Sequence, residues 1–286
     1  MSGKSWNLGL IGWPLDHSYS PLLQRAALEA AGLDGDYNVL PVSPLPAGAS
    51  ALEQALEDLR RGDWDGLNVT IPHKRTVLRY LDQLTQTAQG VGAVNTVIRG
   101  NGGLIGENTD VPGFLADLRA LGLPDSGEAI VLGAGGAAMA AAFALGTEGW
   151  VVRLAGRRIE QAEYAADWLR RSIEGDPLSP KVTAIDLAGL APFLRNCSLV
   201  VNATPVGMHP GSEGSPWPGE LPFPPSAAVY DMVYNPQQTR LVRDARAAGL
   251  PARGGIGMLI EQAALAFEAW TGVRPSREAM AAEVGL

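Results

Sequence analysis

The chain has 286 residues, 46% hydrophobic and 18% charged, enough for about two packed domains of ordinary size. A net charge of −8 with no block of like charge argues against a nucleic-acid partner, and no run reaches the roughly 18 apolar residues of a membrane span. The single Cys197 rules out an intrachain disulfide and fits the reducing cytoplasm, and three scattered histidines (17, 73 and 209) suggest no metal site.

Strand and helix patterns alternate from the start, and MSGKSWNLGLIG (1–12) has no signal-peptide layout. WNLGLIG (6–12) is an apolar strand ending in glycine. HSYSP (17–21) follows, and from Pro21 the segment PLLQRAALEAAG is helical in composition, with Gly32 as its stop. Ser20 fits a helix N-cap. The hydroxyl pair Ser18 and Ser20 beside a helix N-terminus equally suits a small carboxylate. YNVLPV (37–42) predicts a strand and ALEQALEDLRR (51–61) an amphipathic helix.

GLNVTIPHKRT (66–76) is unusual. Leu67, Val69 and Ile71 share one face of a strand, and Asn68 and Thr70 share the other. A central parallel strand is normally apolar on both faces. The polar pair therefore marks either a ligand cleft at the strand's carboxyl end or an edge strand facing water. Pro72 is expected to start a helix, with His73, Lys74 and Arg75 in its first turn and Val77, Leu78, Leu81 and Leu84 on one face. Cations there oppose the helix macrodipole. A solvated lysine or a proton-donating one would both fit Lys74. GAVNT (92–96) then places Asn95 at the start of a hairpin that turns at Asn101-Gly102. GENTD (106–110) precedes another helix, with Asp110 as an N-cap or a functional carboxylate.

A second strand–helix series begins at EAIVLGAGGAAMAAAFAL (128–145). Gly133, Ala134, Gly135, Gly136, Ala137 and Ala138 form the G-x-G-x-x-A dinucleotide fingerprint between an apolar strand and a small-residue helix. Gly133 permits the tight turn, Gly135 the close approach of a pyrophosphate, and Ala138 the close packing of helix on strand. The next strand, WVVRLAG (150–156), ends at Gly156-Arg157-Arg158, with no acid before Glu160, where an NAD site carries a carboxylate. The arginines either begin a helix in solvent or hold a 2′-phosphate. Their poor fit to a helix N-terminus favours the phosphate, and so NADP. KVTAI (181–185), SLVVNAT (198–204) and AAVYDMVY (227–234) predict further strands, and GMLIEQAALAFEAW (257–270) a last long helix. GSEGSPWPGELPFPPS (211–226) is a Pro- and Gly-rich surface loop with no derivable role. The whole pattern predicts an α/β fold of two domains with largely parallel sheets, divided near residue 110, with a ligand cleft between them.

HSYSP, NVTIPHK, GAVNT, GENTD, the GAGGAA loop, NATPVGM (202–208) and GIGMLIEQA (255–263) come in the order and spacing of the shikimate dehydrogenase family, which the chain resembles along nearly its whole length. The resemblance implies a substrate domain at 1–110, completed by about 255–286, and a Rossmann-type NADP domain at 111–250. It implies reversible reduction of 3-dehydroshikimate to shikimate, in the chorismate pathway to aromatic amino acids. Ser18 and Ser20 would hold the substrate carboxylate, and Thr70, Asn95 and Gln262 the ring hydroxyls, with Asn68 on the substrate face. Lys74 and Asp110 would be the catalytic pair. Tyr234 would lie by the substrate, and Thr204, Met232, Gly255 and Met258 by the cofactor. Many NADP-using relatives carry Asn-Arg-Thr where this chain has Gly156-Arg157-Arg158, which leaves NADP favoured over NAD on Arg157 and its neighbour. The two serines favour shikimate. A quinate or dual quinate/shikimate dehydrogenase is the alternative. The presence of both Lys74 and Asp110 counts against a non-catalytic NADP sensor. The expected partner is the small-molecule substrate alone, with the chain a monomer or homodimer.

Overall fold

The computed structural model describes residues 4–172 and 182–286. Its contacts divide the chain into two compact units: residues up to Thr109 together with Ile260–Leu286, and Asp110–Leu259.

In the first unit, β1 (Trp6–Gly12) leads to α1 (Ser20–Ala30), β2 (Gly35–Pro41), α2 (Ala49–Arg61) and β3 (Gly66–Val69). After a turn and a short 3-10 helix (Thr76–Tyr80) come β4 (Gln83–Leu84), α3 (Gln86–Val91), β5 (Thr96–Gly100) and β6 (Gly103–Glu107). The strands form one sheet in the order β2-β1-β3-β5-β6-β4. β1 pairs in parallel with β2 and β3, while β5 runs antiparallel to β3 and β6. The hairpin turns at Asn101-Gly102 as its sequence requires, with Gly100 opposite Gly103. Leu52, Leu56 and Leu59 of α2 recur on one helical face and are buried with Leu67, Val69 and Val97 of the sheet.

The second unit begins with α4 (Asp110–Leu118) and continues through β7 (Glu128–Leu132), α5 (Gly136–Thr147), β8 (Val151–Gly156), α6 (Ile159–Ser172), β9 (Val182–Asp186), β10 (Cys197–Asn202), β11 (Ala228–Asp231), α7 (Arg240–Ala247) and β12 (Ala252–Gly254). All its strand pairings are parallel, in the order β12-β11-β10-β7-β8-β9. That is the doubly wound dinucleotide-binding order, with its switch point between β7 and β10. Lys181, the first residue of the expected strand KVTAI, lies outside the described residues.

The long helix α8 (Ile256–Thr271) starts in the second unit, and from Ile260 onward its residues belong to the first, as does α9 (Arg277–Ala282). Within the first unit Trp270 of α8 donates its indole N–H to Val97 O at 3.0 Å. Its ring lies so close to Gly66 that a Cβ there would sit 2.3 Å from it. Glycine in β3 is what lets the last helix seat on the sheet.

Three local expectations need correction. No helix follows Pro72: residues 71–75 form turns, the 3-10 helix covers only Thr76–Tyr80, and Leu84 lies in a strand. Tertiary partners take the groups a helix would use. Lys74 O accepts from Val94 N–H at 2.8 Å, and Asp82 N–H donates to Leu104 O at 3.0 Å. The macrodipole argument for Lys74 therefore has no helix to stand on. Second, Ser20 is not an N-cap. Tyr19 holds that position, without a side-chain bond, and Ser20 is the first residue of α1. Third, the segment 211–226 is not wholly a surface loop. Trp217 is buried and stacks on Phe223 at 5.3 Å between centroids, within the core of the second unit.

Candidate active site

Strand β3 carries Asn68 inward and ends one residue before Thr70, which is half-buried. Thr70 is pinned by its backbone: its N–H donates to Ile11 O at 2.8 Å and its carbonyl accepts from His73 N–H at 2.9 Å. His73 is fully buried, with Nε2 2.7 Å from Val42 O. These contacts hold the turn that presents the half-buried Lys74, and the Lys74–Val94 backbone bond ties that turn to the residue before Asn95.

A buried polar network gathers several of the singled-out side chains in the first unit. Asn95 Oδ1 accepts from Thr109 N–H at 2.8 Å and Thr96 Oγ1 at 3.1 Å. Its Nδ2 donates to Thr109 Oγ1 at 2.9 Å and, more weakly, to Gln262 Oε1 at 3.3 Å. Asn68 donates to Asn95 O at 3.0 Å and Thr96 Oγ1 at 3.1 Å, while its Oδ1 accepts from Tyr37 O–H at 2.8 Å. Nearby, Ser18 Oγ accepts from Ser20 N–H at 3.3 Å. Burial holds the Tyr37 phenol well above its ordinary range, so it stays protonated and donates. Satisfied buried amides of this kind fix a site's geometry, since an unpaired one would cost stability. The buried Asn68 side chain thereby links Tyr37 to Asn95.

Asp110 and Tyr234 belong to the second unit. Asp110 is the buried first residue of α4 and follows directly on Thr109. Tyr234 is half-buried, three residues past the end of β11.

The second unit also contains a cavity of about 510 Å³ at the carboxyl ends of β7, β8 and β10. Gly133, Ala134 and Gly135 form one wall, and Gly156, Arg157 and Arg158 another. Gly133 adopts φ +117°, the conformation glycine tolerates, and a Cβ there would meet Ala203 O at 3.1 Å. Gly135 caps α5 with no side-chain bond, and open space lies beyond where its Cβ would be. The N–H groups at the α5 terminus therefore suit an anion brought close to the backbone. Ala138, Ala141 and Ala142 of α5 are fully buried, the close packing that the fingerprint's small residue implies. Gly136 and Ala137 start α5 and do not line the cavity. Thr204 does, held by Asn202 Oδ1, which accepts from its N–H at 2.9 Å and its hydroxyl at 2.7 Å. Asn202 donates to Asp231 Oδ1 at 2.8 Å, and Asp231 accepts from Thr239 Oγ1 at 2.6 Å. Met232 N–H bonds Asn202 O, and Gly255 packs so tightly on Met232 that a Cβ would lie 2.3 Å from its carbonyl oxygen. Met258 is buried in the same unit. None of these last three residues lines the cavity. Glycines, uncapped helix N–H groups and two exposed guanidinium groups together match a dinucleotide phosphate in shape and charge.

Tyr37, Thr96 and Thr109 were not singled out by the sequence. Thr109 sits inside the GENTD motif, a usable signal. Tyr37 and Thr96 read only as β formers, and their partners are remote in the chain. Ser215 and Pro216 also line the cavity, although their segment offered no functional signal. Among the described residues no cluster of His, Cys, Asp and Glu could hold a metal, and no helix is long and apolar enough to cross a membrane.

Comparison with known proteins adds to this geometry. The family model for the shikimate dehydrogenase substrate binding domain matches residues 10–97, and that for the shikimate 5'-dehydrogenase C-terminal domain matches residues 255–284. The shikimate dehydrogenase (NADP(+)) of Salinibacter ruber is 42% identical over 92% of this chain and 90% of its own length. The solved shikimate 5-dehydrogenase of Thermus thermophilus, in complex with NADP(H) and shikimate, is 40% identical and superposes with a TM-score of 0.84 over 97% of this chain and 98% of that one. A quinate dehydrogenase from Corynebacterium glutamicum in complex with NAD is 32% identical, with a TM-score of 0.87 over 98% of each chain.

Proposed function

The chain belongs to the shikimate dehydrogenase family, and on that premise we propose the residue roles by which it works. It is an NADP-dependent oxidoreductase that interconverts 3-dehydroshikimate and shikimate, a step toward aromatic amino acids. In this reading, residues 1–110 with about 255–286 bind substrate, and 111–250 bind the dinucleotide. Ser18 and Ser20 hold the substrate carboxylate. Thr70, Asn95 and Gln262 bond the ring hydroxyls, with Asn68 on the substrate face and Tyr234 completing the substrate contacts. The glycine turn Gly133–Ala137 carries the pyrophosphate, and Arg157 with Arg158 the 2′-phosphate. Thr204, Met232, Gly255 and Met258 serve the rest of the cofactor. The chain acts in the cytoplasm as a monomer or homodimer.

NADPH, when bound, supplies a hydride to the substrate carbonyl carbon. The protein must then deal with the oxygen, which gains negative charge. Lys74 offsets that charge and delivers a proton to the oxygen, and in the reverse direction takes it back. Asp110 favours the charged lysine and orients it. The observation that carries this reading is the buried network on Asn95 and Gln262, together with the backbone bond that ties Lys74's turn to Val94.

The test is Lys74→Ala. Turnover should fall about a hundred- to ten-thousandfold, the usual value of a positioned acid. The KM for shikimate should change little, because the charge is needed mainly in the transition state. Undiminished turnover would mean that another group donates the proton.

A further inference from the structure

Segment 211–226 is built into the cofactor cavity. Trp217 anchors it: the ring is buried in a cluster with Leu132, Val200 and Val229, and its indole N–H donates to Leu221 O at 3.2 Å. Just before that anchor, Ser215 and Pro216 form part of the cavity wall. Gly214 presses on the segment that follows β10, where a Cβ would meet Val206 Cγ1 at 3.2 Å. Farther back, Arg240 donates to Glu213 O at 3.2 Å. The wall is thus held from both sides, and the proline ring limits its backbone further.

The Ser215 hydroxyl is suitably placed to donate. Its oxygen accepts from Trp217 N–H at 3.3 Å, which leaves the hydroxyl proton for another acceptor. The acceptors of a dinucleotide are its phosphate and ribose oxygens. Sheet order indicates which of them. The arginines stand at the end of β8, on one side of β7, whereas Gly214, next to Ser215, packs on the segment after β10, on the other side. That segment adjoins the glycine turn, where a Cβ on Gly133 would lie 3.1 Å from Ala203 O and 3.2 Å from Thr204 Cγ2.

We propose that Ser215 is a cofactor-binding residue that donates a hydrogen bond to an oxygen common to NADP and NAD, away from the 2′-phosphate. The inference rests on the dinucleotide reading of this cavity.

Direct titration calorimetry of NADP and of NAD against the unaltered protein, Ser215→Ala, Ser215→Thr and Arg157→Ala tests it, with thermal midpoints read in parallel. Ser215→Ala should weaken both cofactors about three- to tenfold, the usual value of one hydrogen bond, and leave their ratio unchanged. Ser215→Thr keeps the hydroxyl and should restore most of the affinity, which a merely structural role would not require. Arg157→Ala should change the ratio instead. Affinities within twofold for Ser215→Ala, or a loss confined to NADP, would overturn the assignment of Ser215 alone. Failure of the unaltered protein to bind either cofactor would remove the dinucleotide reading itself.

Discussion

Cys197 has a chemistry set by burial. It is 4% exposed on β10, and its thiol donates to Leu199 O at 3.2 Å. Loss of solvation pushes its pKa up to about 11. Only the thiolate reacts, so at pH 8 roughly a thousandth of the thiol is available. The native protein should therefore resist an aromatic disulfide reagent for hours and react fully in denaturant; rapid native labelling would contradict the burial. Arg157 carries the opposite kind of expectation, because it is exposed and lines the cavity, where we propose that it meets the 2′-phosphate. Arg157→Ala should raise the KM for NADP at least tenfold more than that for NAD, and equal losses would remove the 2′-phosphate role. At this scale the sequence was informative about chemistry and poor on partners. The polar face of Asn68 and Thr70 left a ligand cleft or an edge strand open, and β3, lying between β1 and β5, is not an edge. That Asn68 spends its amide on Asn95 and Thr96, and its carbonyl on Tyr37, depends on residues about 30 positions away and has no local signal. Ser20 was open between cap and ligand; its place inside α1, with Tyr19 at the cap position, removes the cap.

Elements β10, β11 and α7 meet at one carboxylate. Asp231 ends β11, accepts from Asn202 of β10, and accepts from Thr239, whose hydroxyl also caps α7 by accepting from Val242 N–H at 3.3 Å. Burial raises its pKa from 3.8 to about 6, against the opposing pull of its hydrogen bonds. A folded pKa above the unfolded one means the folded state binds the proton more tightly. The stabilisation is complete below about pH 4 and is lost as pH rises through 6. The shift corresponds to about 3 kcal/mol. Stability relative to Asp231→Asn should therefore rise as pH is lowered from 8 to 5. Asp36 and Asp82, held low by Arg25 and Arg60, stay charged across that window. Parallel pH profiles for the two proteins, read as denaturant midpoints, would contradict it. Elements with strong periodicity and clear stops, such as β1, α2 and α8, were legible to within a residue or two. The stretch after Pro72 was not. Its apolar spacing is helical, but the spacing reflects burial in the first unit's core, where Val77 packs, rather than a continuous helix. Tertiary bonds to Val94 and Leu104 outweigh the local pattern.

At the scale of the whole molecule, alternation of strand and helix was enough for an α/β fold with two parallel-dominated sheets. The order of strands in each sheet was not in the pattern. β12 is three residues long and β4 only two, too short for any period to show. The return of α8 to the first unit rests on Gly66 making room for Trp270, a pairing across some 200 residues visible only in three dimensions. The cavity of the second unit was half legible: the glycine turn and arginines came from motifs, while the wall at Ser215 came from a loop whose anchor, Trp217, reads as just another residue in a proline-rich run. The central claim concerns substrate and cofactor together. It is tested most directly by reduced-nicotinamide formation with purified protein, shikimate or quinate being paired with NADP or NAD. The account predicts turnover with shikimate and NADP at least tenfold above every other pairing. Equal or faster turnover with quinate or NAD would contradict the specificity assigned to the serines and Arg157, and no turnover in any pairing would contradict the catalytic role of Lys74 and Asp110.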